Sequence, residues 1–151
     1  MLNQDYKEML QCLLEEQAEF LVVGAYALAA HGFPRSTADF DIWVNPSGEN
    51  AEKVFRALSR FGAPLAGVSP ADFTQKGTVF QIGVAPCRID ILTMITGNFD
   101  FPDARAKAVE IELGGVSMPV LCIDDLIENK LAAGRPKDIE DAEKLKKNRP
   151  R

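Results

Sequence analysis

Two aspartates, Asp39 and Asp41, form the feature of this chain with the clearest chemistry. They lie in a largely apolar stretch, residues 38–44, that is typical of a strand. Side chains two positions apart in a strand point to the same face, so the two carboxylates lie side by side. Such a pair repels itself unless a proton or a cation lies between the groups. A third carboxylate, Asp90, lies in a similar apolar segment. Three carboxylates on strands are suited to hold two divalent cations, which in turn can bind a triphosphate.

A glycine turn precedes this pair along the chain. The apolar run of residues 20–23 ends at Gly24 and Ala25, and small residues with helical spacing follow. A strand that turns at glycine into a helix presents free backbone N–H groups beside the positive end of the helix dipole, and that arrangement favours phosphate. Thirteen residues separate this turn from Asp39.

These motifs together resemble the nucleotidyltransferase superfamily that includes polymerase beta and the aminoglycoside nucleotidyltransferases. Its signature is an apolar strand, Gly-Gly or Gly-Ser, a gap of about this length, Asp-apolar-Asp/Glu, and a third acid on a later strand. More narrowly, the chain is similar to small prokaryotic nucleotidyltransferase-like proteins, some of them toxin–antitoxin components, at residues 24–28, 31–32, 35–41, 124–131 and 134–141. The resemblance covers most of the chain. Ala25 departs from the pattern: it keeps its backbone N–H but has no hydroxyl to offer a phosphate.

The resemblance implies an α+β fold, a nucleotidyltransferase-like mixed β-sheet flanked by helices, with C-terminal helices. It implies Mg²⁺ or Mn²⁺ held by Asp39, Asp41 and Asp90, and a nucleoside triphosphate such as ATP as donor. Gly24 and Ala25 would offer N–H groups to the β and γ phosphates. The reaction would transfer a nucleoside monophosphate to a hydroxyl acceptor and release pyrophosphate. Asp90 would either bind a second ion or accept the proton of the attacking hydroxyl.

Each carboxylate also has a purely structural interpretation. Asp39 and Asp41 could be the solvated face of an edge strand, although the apolar strand and the preceding glycine turn favour metal binding. Asp90 could simply pair with Arg88, which lies two residues earlier on the same predicted face.

Several cationic side chains are candidates for phosphate contact. Arg35 has two interpretations. Its guanidinium could bind a phosphate or a base through its forked donors, or it could be a surface arginine. The resemblance makes one or two of Lys130, Arg135 and Lys137 candidates for contact with the triphosphate, and we favour Lys130 because it has apolar neighbours in a predicted helix. The alternative is a solvated basic face paired with nearby acids. Asp138 and Asp141 are expected to be helix-start acids and ion-pair members.

His31 and Trp43 are expected to be structural. His31 ends a predicted helix before a glycine, a position at which histidine often caps the last carbonyl groups of its own helix. Trp43 alternates to the face of Asp39 and Asp41, where it either stacks on a nucleobase or fills space beside the site, and we favour the second role.

The composition restricts the class of protein. The formal net charge of −5 argues against general binding to nucleic-acid duplexes, which needs clustered positive charge. No apolar stretch approaches the length of a membrane span and the first residues lack a signal-peptide pattern, so we expect a cytoplasmic protein. The three cysteines fit neither a zinc site nor a disulfide framework and are expected to be buried thiols.

A chain of 151 residues is typical of one domain. We expect a single domain over residues 1–151, with a core at about 18–122 and a C-terminal helical part at about 123–147. Apolar periodicity and turn residues predict helices at 5–17, 26–31, 51–61, 101–107, 123–133 and 137–146 and a helix start at 69–70. They predict strands at 20–23, 38–44, 78–84, 87–93, 109–113 and 116–120, the last four as two antiparallel hairpins.

Other functions stay open at this stage. The chain could be a nucleotide-binding or partner-binding module with little or no catalysis, such as an antitoxin-like or regulatory protein. As an enzyme it could modify a small molecule, a protein or transfer RNA, the last through the lysines and arginines of residues 144–151. A homodimer is plausible because a small domain can borrow its acceptor wall from a neighbour.

Overall fold

The computed structural model describes residues 2–34, 39–84 and 87–149, which form a mixed β-sheet flanked by helices. The helices are α1 Gln4–Glu15, α2 Gly24–Ala30, α3 Gly48–Phe61, α4 Phe101–Ala106, α5 Ile123–Ala133 and α6 Pro136–Lys147, with a short 3₁₀ helix at Pro70–Thr74. The strands are β1 Phe20–Val23, β2 Phe40–Val44, β3 Val79–Ile82, β4 Ile89–Leu92, β5 Val109–Leu113 and β6 Val116–Val120. The predicted α+β class is confirmed.

The six strands are ordered β3-β4-β2-β1-β6-β5. The pairs β2–β4 and β1–β6 are parallel, whereas β1–β2, β3–β4 and β5–β6 are antiparallel. Both predicted hairpins are therefore present. As a result β2 is an interior strand, with β1 and the glycine turn that follows it on one side and β4 on the other.

Some element boundaries differ from the predicted ones. The first helix ends at Glu15, before the predicted residue 17, because Gln17 adopts a left-handed backbone with φ of 59°. The second helix begins at Gly24, two residues early. The strand predicted at 38–44 begins at Phe40, where its N–H donates to the Arg88 carbonyl at 2.9 Å. Asp39 therefore immediately precedes the strand instead of lying within it.

An aromatic cluster fixes β2 against the helices. Phe40 is fully buried and stacks on Tyr6 of α1, with ring centroids 4.8 Å apart. Tyr26 of α2 meets Phe40 edge-on at 5.1 Å. Because these rings hold the strand from one face, the alternating residues of β2 are directed to the other face.

A buried asparagine ties α3 to both central strands. Asn50 accepts a hydrogen bond from the Glu19 N–H at 2.7 Å and donates to the carbonyl groups of Glu19 and Asn45. Glu19 precedes β1 and Asn45 follows β2, so one side chain holds the antiparallel pair in register.

The cysteine prediction is wrong in one place. Cys12 and Cys122 are half-buried, but Cys87 is exposed, because it precedes β4 instead of lying within the strand. Over the parts of the chain that the structure describes, none of the helices combines the length and apolar character needed to cross a membrane.

Candidate active-site cleft

Asp39 and Asp41 lie at the start of β2 and line an open cleft of about 590 Å³. Asp41 is the second residue of the strand, and Asp39 immediately precedes it. Phe40, between them, points into the core. Because Phe40 anchors the backbone from the opposite face, both carboxylates are held on the cleft side.

Asp90 comes to the same region from β4. This strand runs parallel to β2, and the register places Asp90 directly beside Asp41. Asp90 is 7% exposed, so it is well buried. The described residues that line the cleft include Asp39 and Asp41 but not Asp90. The three carboxylates of the sequence prediction therefore form one cluster, with Asp90 as its most enclosed member.

Arg88 joins two of these carboxylates. Its guanidinium lies 2.7 Å from Asp39 Oδ2. It also donates to both carboxylate oxygens of Asp90, from Nε at 2.8 Å and from Nη2 at 3.1 Å. The structural alternative for Asp90, a pair with Arg88, is thus present in the molecule. The same arginine also reaches Asp39, a contact that the sequence did not predict.

The environment of Asp41 disfavours its charged form. Its pKa is raised from 3.8 to about 7, chiefly by burial and then by the negative charges of Asp90 and Asp39. A hydrogen bond with Asp90 raises the pKa further, whereas the charge of Arg88 lowers it. The cluster therefore carries more negative charge than Arg88 alone balances, and a proton or an added cation would relieve the excess.

Gly24 provides the space that Asp41 occupies. Gly24 follows β1, and the antiparallel register pairs its neighbour Val23 with Asp41. Gly24 has a φ of +68°, and a Cβ at this position would collide with the Asp41 carboxylate. Glycine is required here on both counts, since a side chain would be strained and would have no room. Gly24 and Ala25 also line the cleft.

A cationic wall of the cleft comes from the C-terminal helices. Lys130 of α5 has a 13% exposed side chain, and its Nζ lies 3.6 Å from a carboxylate oxygen of Asp138 and 3.6 Å from one of Asp141. Asp138 is buried at the start of α6 and accepts hydrogen bonds from the Arg135 N–H and guanidinium. Asp138 and Asp141 are therefore ion-pair members, as predicted. Lys130 and Arg135 line the cleft together with exposed Lys137.

The ligand atoms that the carboxylate cluster offers are oxygens, which suit a hard divalent cation. Carboxylate oxygens are the preferred ligands of Mg²⁺ and Mn²⁺. Gly24 leaves the Asp41 carboxylate room beside the turn, and burial, together with the charges of Asp90 and Asp39, raises the pKa of Asp41. Among the described residues, however, no group of three or more acidic, histidine or cysteine side chains is arranged to hold a metal ion. Arg88 holds two of the three carboxylates, so a cation would have to share or replace its contacts.

Three residues that the sequence singled out, Arg35, His31 and Trp43, remain to be placed relative to the cleft. Arg35 lies outside the described residues, and its role stays a prediction. His31 is structural but has a different partner from the expected one: its Nε2 lies 2.9 Å from the carbonyl oxygen of Leu121, because the end of α2 packs beside the segment after β6. Trp43 is 2% exposed and meets Phe101 edge-on at 5.1 Å. This burial supports the space-filling role over stacking on a nucleobase.

The bridge from Arg88 to Asp39 has no signal in the sequence. Alternation along the strand brings Arg88 and Asp90 to one face and gives that pair from sequence. The contact with Asp39 depends on the parallel pairing of β2 with β4, which joins residues almost fifty positions apart. No local pattern carries that information.

Two solved structures resemble the fold over nearly the whole chain. A protein of Thermotoga maritima assigned as a nucleotidyltransferase, TM1012, superposes with a TM-score of 0.61 at 21% identity, covering 97% of this chain and 94% of that one. The antibiotic-resistance factor ANT(2'')-Ia has a TM-score of 0.62 at 14% identity, with coverage of 96% and 87%. At these identities the likeness shows the fold alone.

Sequence comparison is more specific about the family. Curated proteins include no significant match to this chain. A family model described as "Nucleotidyltransferase of unknown function (DUF6036)" matches residues 1–146, which is nearly the full length. The superfamily that the glycine turn and the Asp-x-Asp pair indicated is thereby confirmed. The chain belongs to this DUF6036 family of nucleotidyltransferases.

Proposed function

We propose that this protein transfers a nucleoside monophosphate from a nucleoside triphosphate to a hydroxyl group, with release of pyrophosphate and with Mg²⁺ or Mn²⁺ as cofactor. One observation carries the proposal. A single cleft is lined by the glycine turn at Gly24 and Ala25, by the carboxylates of Asp39 and Asp41, and by the ammonium of Lys130. These are the three kinds of group that a metal-bound triphosphate requires: backbone N–H donors, oxygen ligands and a fixed cation.

Asp39 and Asp41 are the proposed metal ligands, with Asp90 as the third. A bound cation would neutralise charge on the phosphates and on the reacting oxygens. The proximity of Asp90 to Asp41 supports its membership of the set. Asp90 would bind the second cation or accept the proton of the acceptor hydroxyl.

Gly24, Ala25 and Lys130 are the proposed contacts of the triphosphate. The two backbone N–H groups lie at the turn from β1 into α2. Lys130 is held on the cleft wall by two buried acids, Asp138 and Asp141, and these acids restrict its side chain to that wall. An ammonium that is already positioned loses little conformational freedom when it binds a phosphate.

A second function, nucleotide binding without turnover, is favoured by the contacts of Arg88. This arginine already pairs with Asp39 and Asp90, so the cluster has an internal counter-ion. A regulatory or partner-binding module could keep the carboxylates in this state. The two functions differ in whether pyrophosphate is released.

Thermal unfolding with each of the four nucleoside triphosphates, with and without Mg²⁺, tests the site. A ligand that binds only the folded state raises the unfolding temperature. We expect a Mg²⁺-dependent rise with at least one nucleotide, lost in the double variant Asp39→Ala/Asp41→Ala. The absence of any rise in the wild type contradicts the proposal.

Lys130→Met tests the cationic wall, with Lys107→Met as its matched control. Lys107 also pairs with a buried aspartate, Asp125 at 2.9 Å, but does not line the cleft. We expect Lys130→Met alone to weaken nucleotide binding. Pyrophosphate release by the wild type and by Asp41→Asn then separates transfer from binding. Release that is lost in Asp41→Asn supports nucleotidyl transfer, whereas nucleotide binding by the wild type without release supports the binding module.

A further inference from the structure

We propose that Arg88 is a built-in counter-ion of the carboxylate cluster, and that a divalent cation must displace the Arg88 guanidinium from Asp39 in order to bind. This inference rests on the proposed function, because it assumes that the cluster binds metal. It adds that the site has two states: in one Arg88 pairs with both Asp39 and Asp90, and in the other the cation replaces Arg88 at Asp39.

The contacts of Arg88 are those of a bridging cation. One guanidinium reaches Asp39 at 2.7 Å and both oxygens of Asp90 at 2.8 and 3.1 Å. Forked, charge-assisted hydrogen bonds of this kind are among the strongest in proteins. They draw together two carboxylates that would otherwise repel each other.

The backbone of Arg88 is fixed while its side chain has room to move. Its carbonyl oxygen accepts hydrogen bonds from the Phe40 N–H at 2.9 Å and from the Tyr6 hydroxyl at 3.4 Å. The side chain itself is 31% exposed. The guanidinium can therefore swing towards solvent without disturbing the β2–β4 pairing.

A divalent cation and the guanidinium compete for the same oxygens. A cation bound by Asp39 and Asp90 would lie against a positive charge if Arg88 kept all its contacts, and like charges in a partly buried site repel strongly. Asp39 is the contact that can be given up, since it lies just before the strand and its carboxylate is 30% exposed. Arg88 can keep Asp90, its neighbour on β4.

The alternative is that Arg88 only orients the carboxylates for the cation. The two roles give opposite results when the charge is removed. If Arg88 competes with the cation, its removal tightens metal binding and destabilises the metal-free protein. If it only orients the ligands, its removal weakens metal binding.

The test compares Arg88→Met with a matched control, Arg60→Met. Arg60 also bridges two carboxylates, Glu15 and Glu16, but does so on the helices away from the cleft. Electron paramagnetic resonance of free Mn²⁺ gives the affinity of the full-length protein for the ion. Thermal unfolding with a chelator present gives the stability of its metal-free form.

We expect Arg88→Met to bind Mn²⁺ about tenfold more tightly than the wild type, the size of one lost charged hydrogen bond, and to unfold at a lower temperature without metal. Arg60→Met should leave the Mn²⁺ affinity unchanged. If Arg88→Met does not fold, Arg88→Lys should show a smaller gain in affinity, because lysine keeps the charge but lacks the fork that spans both carboxylates.

Two negative results are distinguishable. Unchanged or weaker Mn²⁺ binding in the folded Arg88 variants overturns the counter-ion role and leaves the metal-dependent function standing. No Mn²⁺ binding by the wild type or by any variant overturns the proposed function, and the counter-ion role with it.

Discussion

Replacement of Asp41 by asparagine should stabilise the metal-free protein, and by more as the pH rises. The pKa of Asp41 is raised from 3.8 to about 7, chiefly by burial. The folded protein therefore holds this proton more tightly than the unfolded chain does. The wild type loses stability as the pH rises between these two values, whereas a neutral asparagine does not titrate.

The size of the effect follows from the width of that window. A measurement at pH 5 and again at pH 8 crosses about 2 units of it, and each unit corresponds to about 1.4 kcal/mol, so the gain from Asp41→Asn should grow by about 2 to 3 kcal/mol. This is an upper figure, because Asp41 keeps some contact with solvent that screens its charge.

Urea unfolding in a chelating buffer measures this directly. Trp43 is the single tryptophan and is 2% exposed, so its fluorescence reports on loss of the core. The slopes against urea should be the same for both proteins, so that the midpoints report on stability. As a control, saturating Mg²⁺ should stabilise the wild type more than Asp41→Asn. A gain that is the same at both pH values would refute the reasoning.

Two further substitutions test the turn and the cationic wall. Gly24→Ala should lower the free energy of unfolding by about 1 to 2 kcal/mol because of the left-handed backbone at this position. The collision of the new Cβ with Asp41 should lower it further. Gly62→Ala is the matched control, since Gly62 has a φ of +92° with open space around a Cβ; equal losses of unfolding free energy in urea would contradict the collision. Asp138→Asn should destabilise the protein at neutral pH, because hydrogen bonds from Arg135 lower the pKa of Asp138. That contribution is present above the ordinary pKa of an aspartate and is lost as the pH falls through the lowered value, so the urea midpoints of the two proteins should converge in acid; a constant difference would contradict this explanation.

Local patterns determined much of the fold and the candidate residues of the site. The two-residue period of a strand is a local property, so it puts Asp39 and Asp41 on one side of the chain. The turn at Gly24 is local as well, because a left-handed backbone favours glycine. The same holds for Gly114 and Gly115, whose φ values of 61° and 83° close the predicted hairpin. These features need no knowledge of distant residues.

The tertiary structure decided which charges meet. The parallel pairing of β2 with β4 brings Asp90 beside Asp41 and lets Arg88 reach Asp39. The packing of α5 on α6 surrounds Lys130 with acids from the next helix. The contacts between β2 and β4 join segments that are far apart in sequence, whereas those of Lys130 join two consecutive helices. The energies of both depend on distance and burial, which a linear pattern does not contain. The sequence thus supplied the ionisable groups, and the pairing of distant strands together with the packing of the last two helices set the charge balance of the cleft.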